Sequence, residues 1–491
     1  MNQRAGVKME RSLRRVIVCG GGLSGLAAAV TAAQAGAKVV LLEKAPSLGG
    51  TTVLSSGSVW TFTDYEAVRE HIPDGDPALQ WLVCETFDES RAWLESLGVK
   101  FKDIGRLAIH GHGHSIVPDE AIAILASRLL SLGGEIALQT ALHSLLTHAG
   151  IVKGVRALHD GRMLERQADA VVLATGGFQG NPELIGRYIV SNPDNLLLRA
   201  NPWSMGDGFL AATEIGAASS PGLDTFYGHA LAAPPARLTF SRLSEATQFQ
   251  GPLSVALNMQ GLRFADESEG IGEEVLNQQL AQQPGGRGVY IVDDELMGQP
   301  PLAQGRGPLI RVIVDRARSI GAVVVEGRTL RELCKGLAEH GIPETRALAT
   351  LTQFNDAMES GRTDELAPAR KRFRRPLSKG PFYAVFVKAG ITFTMGGLAI
   401  DEQARVLARA GGSSPYAPVP IERAYVDGST AASTSVGEHY RQTPIPGLYA
   451  AGCDVGNISH SAYMGGLSAA LCVGRVAGRN AALQSNYSGA K

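Results

Sequence analysis

One stretch, residues 14–44, constrains the fold of this chain more than any other part of its sequence. A buried-strand pattern, Val16–Cys19, leads directly into Gly20, Gly22 and Gly25, which have the spacing G-x-G-x-x-G. The first glycine permits a tight turn, the second lets a pyrophosphate approach the backbone, and the third packs the following helix on the strand. Glycines in this spacing between a strand and a helix predict a dinucleotide-binding unit of an α/β fold.

The helix after the glycines and the strand after the helix complete this unit. An alanine-rich helix begins near Leu23 and Ser24, where free N–H groups and the positive end of the helix dipole attract phosphate. A second apolar run, Val39–Leu42, then ends at Glu43 and Lys44. Because Glu43 lies about 20 residues past the glycines, its carboxylate is expected to accept hydrogen bonds from ribose hydroxyls.

Beyond the second strand, the sequences Gly49-Gly50-Thr51-Thr52 and Ser55-Ser56-Gly57 extend the expected phosphate-binding surface. Here the chain resembles the fumarate reductase/3-ketosteroid dehydrogenase superfamily of flavoproteins, whose members carry a G-G-[TSN]-[TS] turn under the flavin. The resemblance implies FAD rather than NAD. Members with covalently attached flavin use a histidine in this loop, and no histidine occurs from Glu43 to Glu70. We therefore expect FAD to be bound non-covalently.

Composition sets broader limits. The chain has 491 residues, of which 44% are hydrophobic and 19% charged, which is enough for a large core and two domains. A net charge of −1 implies no general attraction to nucleic acid. The five cysteines form no C-x-x-C pair and are expected to be reduced. A polar N-terminus and the lack of an 18-residue apolar span predict no membrane span and, by default, a cytoplasmic location.

Further blocks resemble the same superfamily along nearly the whole chain. Short strands at 138–147, 152–158 and 163–168 fit the small sheet that touches adenine in such proteins, and Ala141 lies on the first. The buried strand that starts at Ala170 ends in Ala174-Thr175-Gly176-Gly177, which the family packs near the cofactor. The resemblance adds two side chains near the cofactor, Asn181 and Asp207, and Asp207 is expected to be the N-cap of a helix at 209–216.

The C-terminal part is expected to return to the flavin. Residues 445–452 and the sequence Tyr463-Met464-Gly465-Gly466-Leu467-Ser468, which opens the last helix, resemble two family blocks. A helix N-terminus here would stabilise negative charge on the reduced flavin ring. Asp454 stands where the family usually has Glu and is expected to hold ribityl hydroxyls. The resemblance places Gly452, Asp454, Gly466, Leu467, Ser468 and Leu471 at the cofactor.

The fold class expected from these blocks is α/β. It comprises a Rossmann-like, doubly wound FAD-binding domain of the GR2 type with an inserted α+β cap domain. Residues 1–222 and 389–491 are assigned to the FAD-binding domain and residues 223–388 to the cap, where prolines and glycines rise and short strand-like runs replace long helices. Residues 408–442 form a longer segment than the hairpin expected there, either a surface lid or a contact with another subunit.

The ionic contacts that fumarate reductases use are missing. In that family a histidine and two arginines contact the substrate, and their positions fall on Phe393, Tyr463 and Ile271. A buried dicarboxylate without these partners would cost several kcal/mol. We therefore exclude fumarate and succinate and expect an apolar, neutral substrate.

Ketosteroid dehydrogenases place a tyrosine at the position of Tyr463. Its hydroxyl and the backbone N–H four residues later, here Leu467, hold the ketone oxygen. The family's second tyrosine, the base, falls on Ile271, so Glu269, Glu273 or one of the histidines in the loop at 110–114 would have to take that role after a small register shift. Tyr227 and His229 lie in another stretch that faces the substrate in the family.

Three alternating histidines, His110, His112 and His114, precede a helix expected at 119–132. No nearby Cys, His or carboxylate cluster completes a zinc site in the sequence, so no metal is predicted. In the family this loop reaches toward the substrate, which makes His114 a catalytic candidate. A solvated loop is the alternative.

The leading hypothesis is an FAD-dependent oxidoreductase acting on CH–CH groups. It would dehydrogenate the α,β-bond of a cyclic ketone, steroid-like or smaller, by hydride transfer to flavin N5. The first alternative is a reductase of an activated C=C bond, and the second is a flavin-binding protein without turnover. Electrons would pass to or from an external partner or oxygen, and the sequence leaves the oligomeric state open.

Overall fold

The structure is a computed structural model that describes residues 13–107, 111–232, 234, 238, 242–270, 272–301, 308–409 and 443–483. Its strands are β1 Arg15–Cys19, β2 Lys38–Leu42, β3 Ser58–Phe62, β4 Lys102–Leu107, β5 Gly111–Ser115, β6 Glu135–Ala137, β7 Thr140–His148, β8 Ile151–His159, β9 Arg162–Gln167, β10 Ala170–Leu173, β11 Leu197–Leu198, β12 Phe226–Tyr227, β13 Leu231–Ala232, β14 Val255–Asn258, β15 Arg287–Asp293, β16 Val324–Gly327, β17 Phe382–Lys388, β18 Gly390–Ile391, β19 Phe393–Thr394, β20 Arg405–Leu407 and β21 Pro444–Ala450.

The α-helices are α1 Leu23–Gln34, α2 Tyr65–His71, α3 Pro77–Ser96, α4 Pro118–Ser131, α5 Pro182–Tyr188, α6 Asp207–Glu214, α7 Leu243–Ala246, α8 Glu274–Ala281, α9 Asp294–Met297, α10 Ile310–Ser319, α11 Leu330–Ala338, α12 Glu344–Ser360 and α13 Gly466–Leu483. Among the described residues, no helix is long and apolar enough to cross a membrane.

A six-stranded sheet, in the order β20-β21-β10-β1-β2-β6, forms the centre of the FAD-binding part. All neighbouring pairs except β20 and β21 are parallel. The strands β1 and β10 are almost entirely apolar because α1, α13 and the strand β8 pack on this sheet and bury it. Helix α1 packs closely on α13, where a Cβ on Gly478 would lie 2.1 Å from the Ala28 carbonyl oxygen. The doubly wound, Rossmann-like α/β fold is thereby confirmed.

Two smaller sheets flank the central one. The strands β7, β8 and β9 form an antiparallel sheet close to the predicted positions. The second sheet has the order β3-β5-β4, and its middle strand carries His112 and His114. The prediction of a loop at these histidines is therefore wrong, because hydrogen bonds to strands on both sides hold this segment extended.

The inserted part is built on a separate sheet. Its strands follow the order β13-β17-β15-β14, and β16 pairs with β17. A second hydrophobic cluster, which includes Leu257, Ile291, Leu333 and Phe354, lies between this sheet and the helices α11 and α12. The prediction that long helices are absent here is wrong, since α12 alone has 17 residues. The domain boundaries at 222 and 388 remain predictions, and residues 410–442 of the proposed extra loop lie outside the described part of the chain.

Candidate functional site

A cavity of about 960 Å³ opens at the carboxyl ends of β1, β2 and β10 and continues toward the inserted part. In open parallel sheets this is the edge where ligands bind. The predicted cofactor contacts that line it are Gly20, Gly22, Leu23, Ser24, Glu43, Lys44, Gly50, Thr51, Thr52, Ser56, Ala174, Thr175, Gly176, Asp207, Gly452, Gly466 and Leu467. The predicted substrate contacts that line it are Tyr227, His229 and Tyr463.

Several predicted contacts do not line the cavity. They are Gly25, Gly57, Ala141, Asn181, Asp454, Ser468, Leu471, His114 and Glu269. Some of them position the wall instead of forming it. Asn181 caps α5 and donates a hydrogen bond to the Met205 carbonyl oxygen, and the Ser468 hydroxyl donates to the Trp60 carbonyl oxygen.

The glycine-rich turn has room for a pyrophosphate but none for side chains on its inner side. Gly20 has φ +116°, and a Cβ on it would lie 2.0 Å from the Ala174 carbonyl oxygen. A Cβ on Gly25 would lie 1.9 Å from the Gly20 carbonyl oxygen. Both positions therefore require glycine, and the backbone between them faces the cavity at the start of α1. This geometry fits the diphosphate of FAD.

Glu43 is held rigidly at the end of β2. Its two carboxylate oxygens accept hydrogen bonds of 2.7 Å from the N–H groups of Gly21 and Ala45. Burial raises the pKa of Glu43, and these backbone hydrogen bonds oppose the shift. Each oxygen keeps a lone pair that can accept a further hydrogen bond from a ribose hydroxyl.

A charged cluster closes the other side of the cofactor region. Asp207 forms an ion pair of 2.9 Å with Lys44, and Gly206, with φ +87°, is the N-cap of α6. The prediction that Asp207 caps this helix is therefore wrong by one residue.

Asp454 is fully buried and accepts hydrogen bonds from Thr175 and the Gly177 N–H. Burial raises its pKa to about 6. Asp454 thus fixes the wall of the cavity from behind.

Aromatic rings form the inner part of the cavity. The ring of Tyr227 stacks on that of Tyr463, with centroids 3.9 Å apart, and on that of Phe393, with centroids 5.0 Å apart. Trp60 meets the edge of Tyr463 at 5.7 Å. All four residues line the cavity, which accounts for its partly apolar surface. Phe393 and Tyr463 stand where fumarate reductases were expected to place ionic residues.

The hydroxyl of Tyr463 is oriented by the start of the last helix. Its oxygen accepts a hydrogen bond of 2.7 Å from the Gly466 N–H. Because this bond occupies one lone pair, the hydroxyl hydrogen remains available for donation. Burial raises the pKa of Tyr463 to about 12, so the group is a neutral donor at physiological pH. The Leu467 N–H lies in the first turn of α13 and has no intrahelical acceptor.

Four side chains, of which Tyr227 is half-buried and the other three are buried, form a hydrogen-bonded relay. The Tyr227 hydroxyl lies 2.9 Å from His229 Nε2, and His229 Nδ1 lies 3.0 Å from Glu273 Oε2. The Tyr290 hydroxyl donates to Glu273 Oε1 at 2.6 Å. Gly228 separates the first two members, and a Cβ on it would lie 1.9 Å from the Gly390 carbonyl oxygen. Burial raises the pKa values of Glu273 and Tyr227 and lowers that of His229.

The relay can hold one proton at either end. With a Glu273 carboxylate, His229 carries its proton on Nδ1 and accepts a hydrogen bond from the Tyr227 hydroxyl. If Glu273 is protonated, His229 carries its proton on Nε2 and donates to a Tyr227 phenolate. The imidazole stays neutral in both arrangements, in agreement with its lowered pKa. This array therefore allows Tyr227 to lose or gain a proton without placing a positive charge on the buried histidine.

Two charged residues of the cavity wall were missed by the sequence analysis. Arg199 lies just after β11, in a segment without a recognisable motif, and Glu274 begins α8. Burial raises the pKa of Glu274 to about 7. Burial also lowers the pKa of Arg199. Arg199 therefore places a cation in the wall of a cavity for which the sequence predicted an apolar, neutral substrate.

The other proposed bases lie elsewhere. Glu269 is exposed, and Ile271 lies outside the described residues. His114 faces away from the cavity, because it pairs in register with Val59 on β3, while Ser58 and Trp60 of that strand line the cavity. Neither Glu269 nor His114 is retained as a catalytic candidate.

The histidines do have a carboxylate neighbour. Asp103 on β4 brings its carboxylate close to His112 and His114, with all three potential ligand atoms within 4.8 Å of one another. The sequence analysis found no group that adds a ligand to these histidines and missed Asp103, because the pairing of β4 with β5 is not visible in the sequence.

Comparison with known proteins agrees with this geometry. The model of the family described as FAD binding domain matches residues 15–415. A probable fumarate reductase of Shewanella frigidimarina is 27% identical, covering 95% of this chain and 74% of the relative. The 4-oxocyclohexanecarboxylate 2-dehydrogenase of Sinomonas cyclohexanicum is 26% identical, covering 97% of this chain and 94% of the relative.

A solved structure shares the fold. The 3-ketosteroid Δ1-dehydrogenase of Sterolibacterium denitrificans superposes with a TM-score of 0.71, at 18% identity, and covers 95% of this chain and 99% of its own. The match to the family model spans most of the chain, and the cavity has the glycine turn, the acidic residue and the helix ends that FAD requires. The chain therefore belongs to the FAD binding domain family and is an FAD-dependent oxidoreductase that acts on CH–CH or C=C bonds.

Proposed function

We propose that this enzyme dehydrogenates the α,β-bond of a cyclic ketone. The observation that carries the proposal is the stacked pair Tyr463 and Tyr227, in which one hydroxyl is free to donate and the other ends a buried relay. A reaction that removes a proton next to a carbonyl needs one donor at the oxygen and one base at the carbon. The Sinomonas relative is named for such a reaction on a cyclic ketone, which supports the proposal.

FAD, when bound, supplies the hydride acceptor. The Tyr463 hydroxyl and the Leu467 N–H would bind the ketone oxygen from one side, so that charge developing on that oxygen meets two donors. The aromatic rings of Phe393 and Trp60 exclude water from the ring of the substrate. Because the two donors are fixed by α13, they need little reorganisation during the reaction.

Tyr227 would be the base. A phenolate at Tyr227 takes the α-proton of the bound ketone, and the relay through His229 to Glu273 sets how often that phenolate is present. The reaction leaves Tyr227 protonated while His229 keeps its proton on Nε2 and Glu273 stays protonated, so the array then holds one proton more than before. After product release this proton is lost to solvent through the cavity that Tyr227 lines, which restores the phenolate. Run backward, the same groups protonate the α-carbon of an enone. The direction of net turnover thus depends on the external electron partner.

Anaerobic reduction of the bound FAD tests this function. We expect cyclohexanone derivatives or a 3-ketosteroid to bleach the visible flavin absorbance of the holoenzyme, and we expect the Tyr227→Phe variant to bleach at least 100-fold more slowly. Succinate serves as the control and should leave the spectrum unchanged, since Phe393 and Tyr463 provide no charge for its second carboxylate. The proposal would be refuted if succinate bleached the flavin and the ketones did not. It would also be refuted if none of the ketones tested bleached the flavin.

A further inference from the structure

Arg199 occupies an unusual place in the cavity wall. It lies among the aromatic residues and is close enough to affect the pKa values of Tyr227, Tyr463 and Glu273. Its side chain is partly exposed, and the exposed part faces the cavity. Arg199 is therefore a cation placed beside the proposed catalytic tyrosines.

Among the residues that the structure describes, Arg199 has only neutral hydrogen-bond partners. Its Nε donates to Thr247 Oγ1 at 3.3 Å, and one terminal nitrogen donates to Thr392 Oγ1 at 3.0 Å. Within the described ranges, no carboxylate lies within 4.0 Å of its guanidinium, whereas other buried arginines such as Arg263 and Arg370 pair with Glu267. Its second terminal nitrogen has no hydrogen-bond partner among those residues.

Neighbouring acids do not neutralise this charge. Glu273 is already engaged by His229, Tyr290 and the Ala230 N–H, and burial raises its pKa. Glu274 makes no ion pair in the described part of the chain, and burial raises its pKa to about 7. A half-buried, charged guanidinium without a counter-ion is costly, and a bound anion lowers that cost.

We propose that Arg199 binds a carboxylate group of the substrate, so that the ketone substrate is a monoanionic keto acid. The inference rests on the proposed function and names its substrate class. A single carboxylate is expected because Phe393 and Tyr463 are uncharged, and because Phe249 and Ile313 add apolar surface to the described cavity wall. The neutral substrate expected from the sequence is replaced by this class.

Thr392 fits a role beside Arg199. Its oxygen accepts from Arg199, and its hydroxyl hydrogen has no acceptor among the described residues, so it can donate to the same carboxylate. The hydroxyl of Thr247 is already used, since it donates to the Leu243 carbonyl oxygen at 2.9 Å. A planar guanidinium and one hydroxyl then hold the two oxygens of the acid.

Equilibrium binding of a matched pair of probes tests the proposal without turnover. The probes are 4-hydroxybenzoate and its methyl ester, which have the same ring and phenol and differ in the charge of the acid. Their binding to the oxidised holoenzyme is measured by the change in the visible flavin spectrum. We expect wild type to prefer the acid by about 10-fold to 100-fold, the range given by a charge-assisted hydrogen bond.

Two variants locate the preference. Arg199→Met should remove the preference, because the affinity for the acid should fall while the affinity for the ester stays within about 3-fold of wild type. Arg199→Lys should keep part of the preference. Arg316→Met is the matched control, because Arg316 is exposed at the outer part of the same cavity, and it should keep the full preference. FAD content and thermal unfolding report whether each variant is folded.

The outcomes separate this inference from the proposed function. The inference is overturned if wild type binds the acid and the ester with equal affinity. It is also overturned if Arg199→Met lowers the affinities for both probes by the same factor. If either result occurs while neutral cyclic ketones bleach the flavin, the function stands and only the substrate class is wrong. If the acid preference depends on Arg199 but no ketone or keto acid bleaches the flavin, the subsite stands and the proposed reaction is wrong.

Discussion

Replacing Glu273 with glutamine tests the relay at its buried end. The substitution keeps the size of the side chain and one acceptor oxygen, so His229 Nδ1 can still donate a hydrogen bond. It removes the group that takes up the proton from Tyr227 through His229. It also turns an amide donor toward either the Tyr290 hydroxyl or the Ala230 N–H, both of which now donate to the carboxylate.

The size of the effect follows from these contacts. General acid–base groups contribute about 10²-fold to 10⁴-fold to rate, which corresponds to about 3–5 kcal/mol of barrier. We expect Glu273→Gln to slow α-proton removal within this range. The loss of folding stability should be smaller, about 1–3 kcal/mol, because one hydrogen bond is lost but no charge is left unpaired.

The assay separates proton transfer from hydride transfer. Reduced holoenzyme cannot accept a hydride, so exchange of the ketone α-hydrogens with deuterated water, followed by NMR, reports the base alone. The rate of anaerobic flavin reduction is measured in parallel with oxidised enzyme. Glu269→Gln is the control, because Glu269 is exposed and does not line the cavity, and both its rates should equal those of wild type. If Glu273→Gln exchanges the α-hydrogens at the wild-type rate, Glu273 has no part in proton transfer.

Three further predictions concern single residues. Tyr463→Phe should lower the rate of anaerobic flavin reduction by about 10²-fold to 10³-fold with unchanged FAD content, and a wild-type rate would mean that Tyr463 only packs. Glu43→Ala should weaken FAD binding by about 1–3 kcal/mol, measured by titrating FAD into apoprotein. Acid should release intact FAD from wild type, and colour retained by the denatured protein would contradict non-covalent binding. For Glu274, burial raises the pKa from 4.5 to about 7, so its contribution to stability is complete below pH 4.5 and lost as the pH rises through 7. The free energy of unfolding should therefore fall by about 3 kcal/mol more in wild type than in Glu274→Gln across this range, and equal pH profiles in denaturant titrations would show that Glu274 is not buried as described.

The cofactor half of the site could be predicted from sequence because its signals are local. The turn at Gly20 and the acid at Glu43 lie within one βαβ unit, where spacing along the chain fixes spacing in space. Asp207 shows how accurate such reasoning is. The sequence placed Asp207 correctly at the start of a helix beside the cavity, but the N-cap is Gly206, one residue earlier.

The substrate half could not be predicted in the same way because its contacts join distant segments. His229 and Glu273 are 44 residues apart, and an ungapped count along the chain instead reached Ile271, which lies two residues from Glu273. Arg199 had no motif to reveal it, because its importance depends on which acids are absent around it. The sequence did name three members of the relay, the alternating pair Tyr227 and His229 and the candidate base Glu273, but it did not show that they are in contact.

Gly228 gives the relay a property that its ionisable members do not suggest. The residue has no functional group, yet its backbone lies very close to the strand that carries Gly390. A methyl group at position 228 would have to push these two segments apart. That displacement would act on the 2.9 Å separation between the Tyr227 hydroxyl and His229 Nε2, over which the proton moves. The rate of proton transfer falls steeply as the donor and the acceptor separate, so a glycine at position 228 is needed to keep this distance short. A Gly228→Ala enzyme would retain every acid, base and donor of the site and still be a mutant in proton transfer.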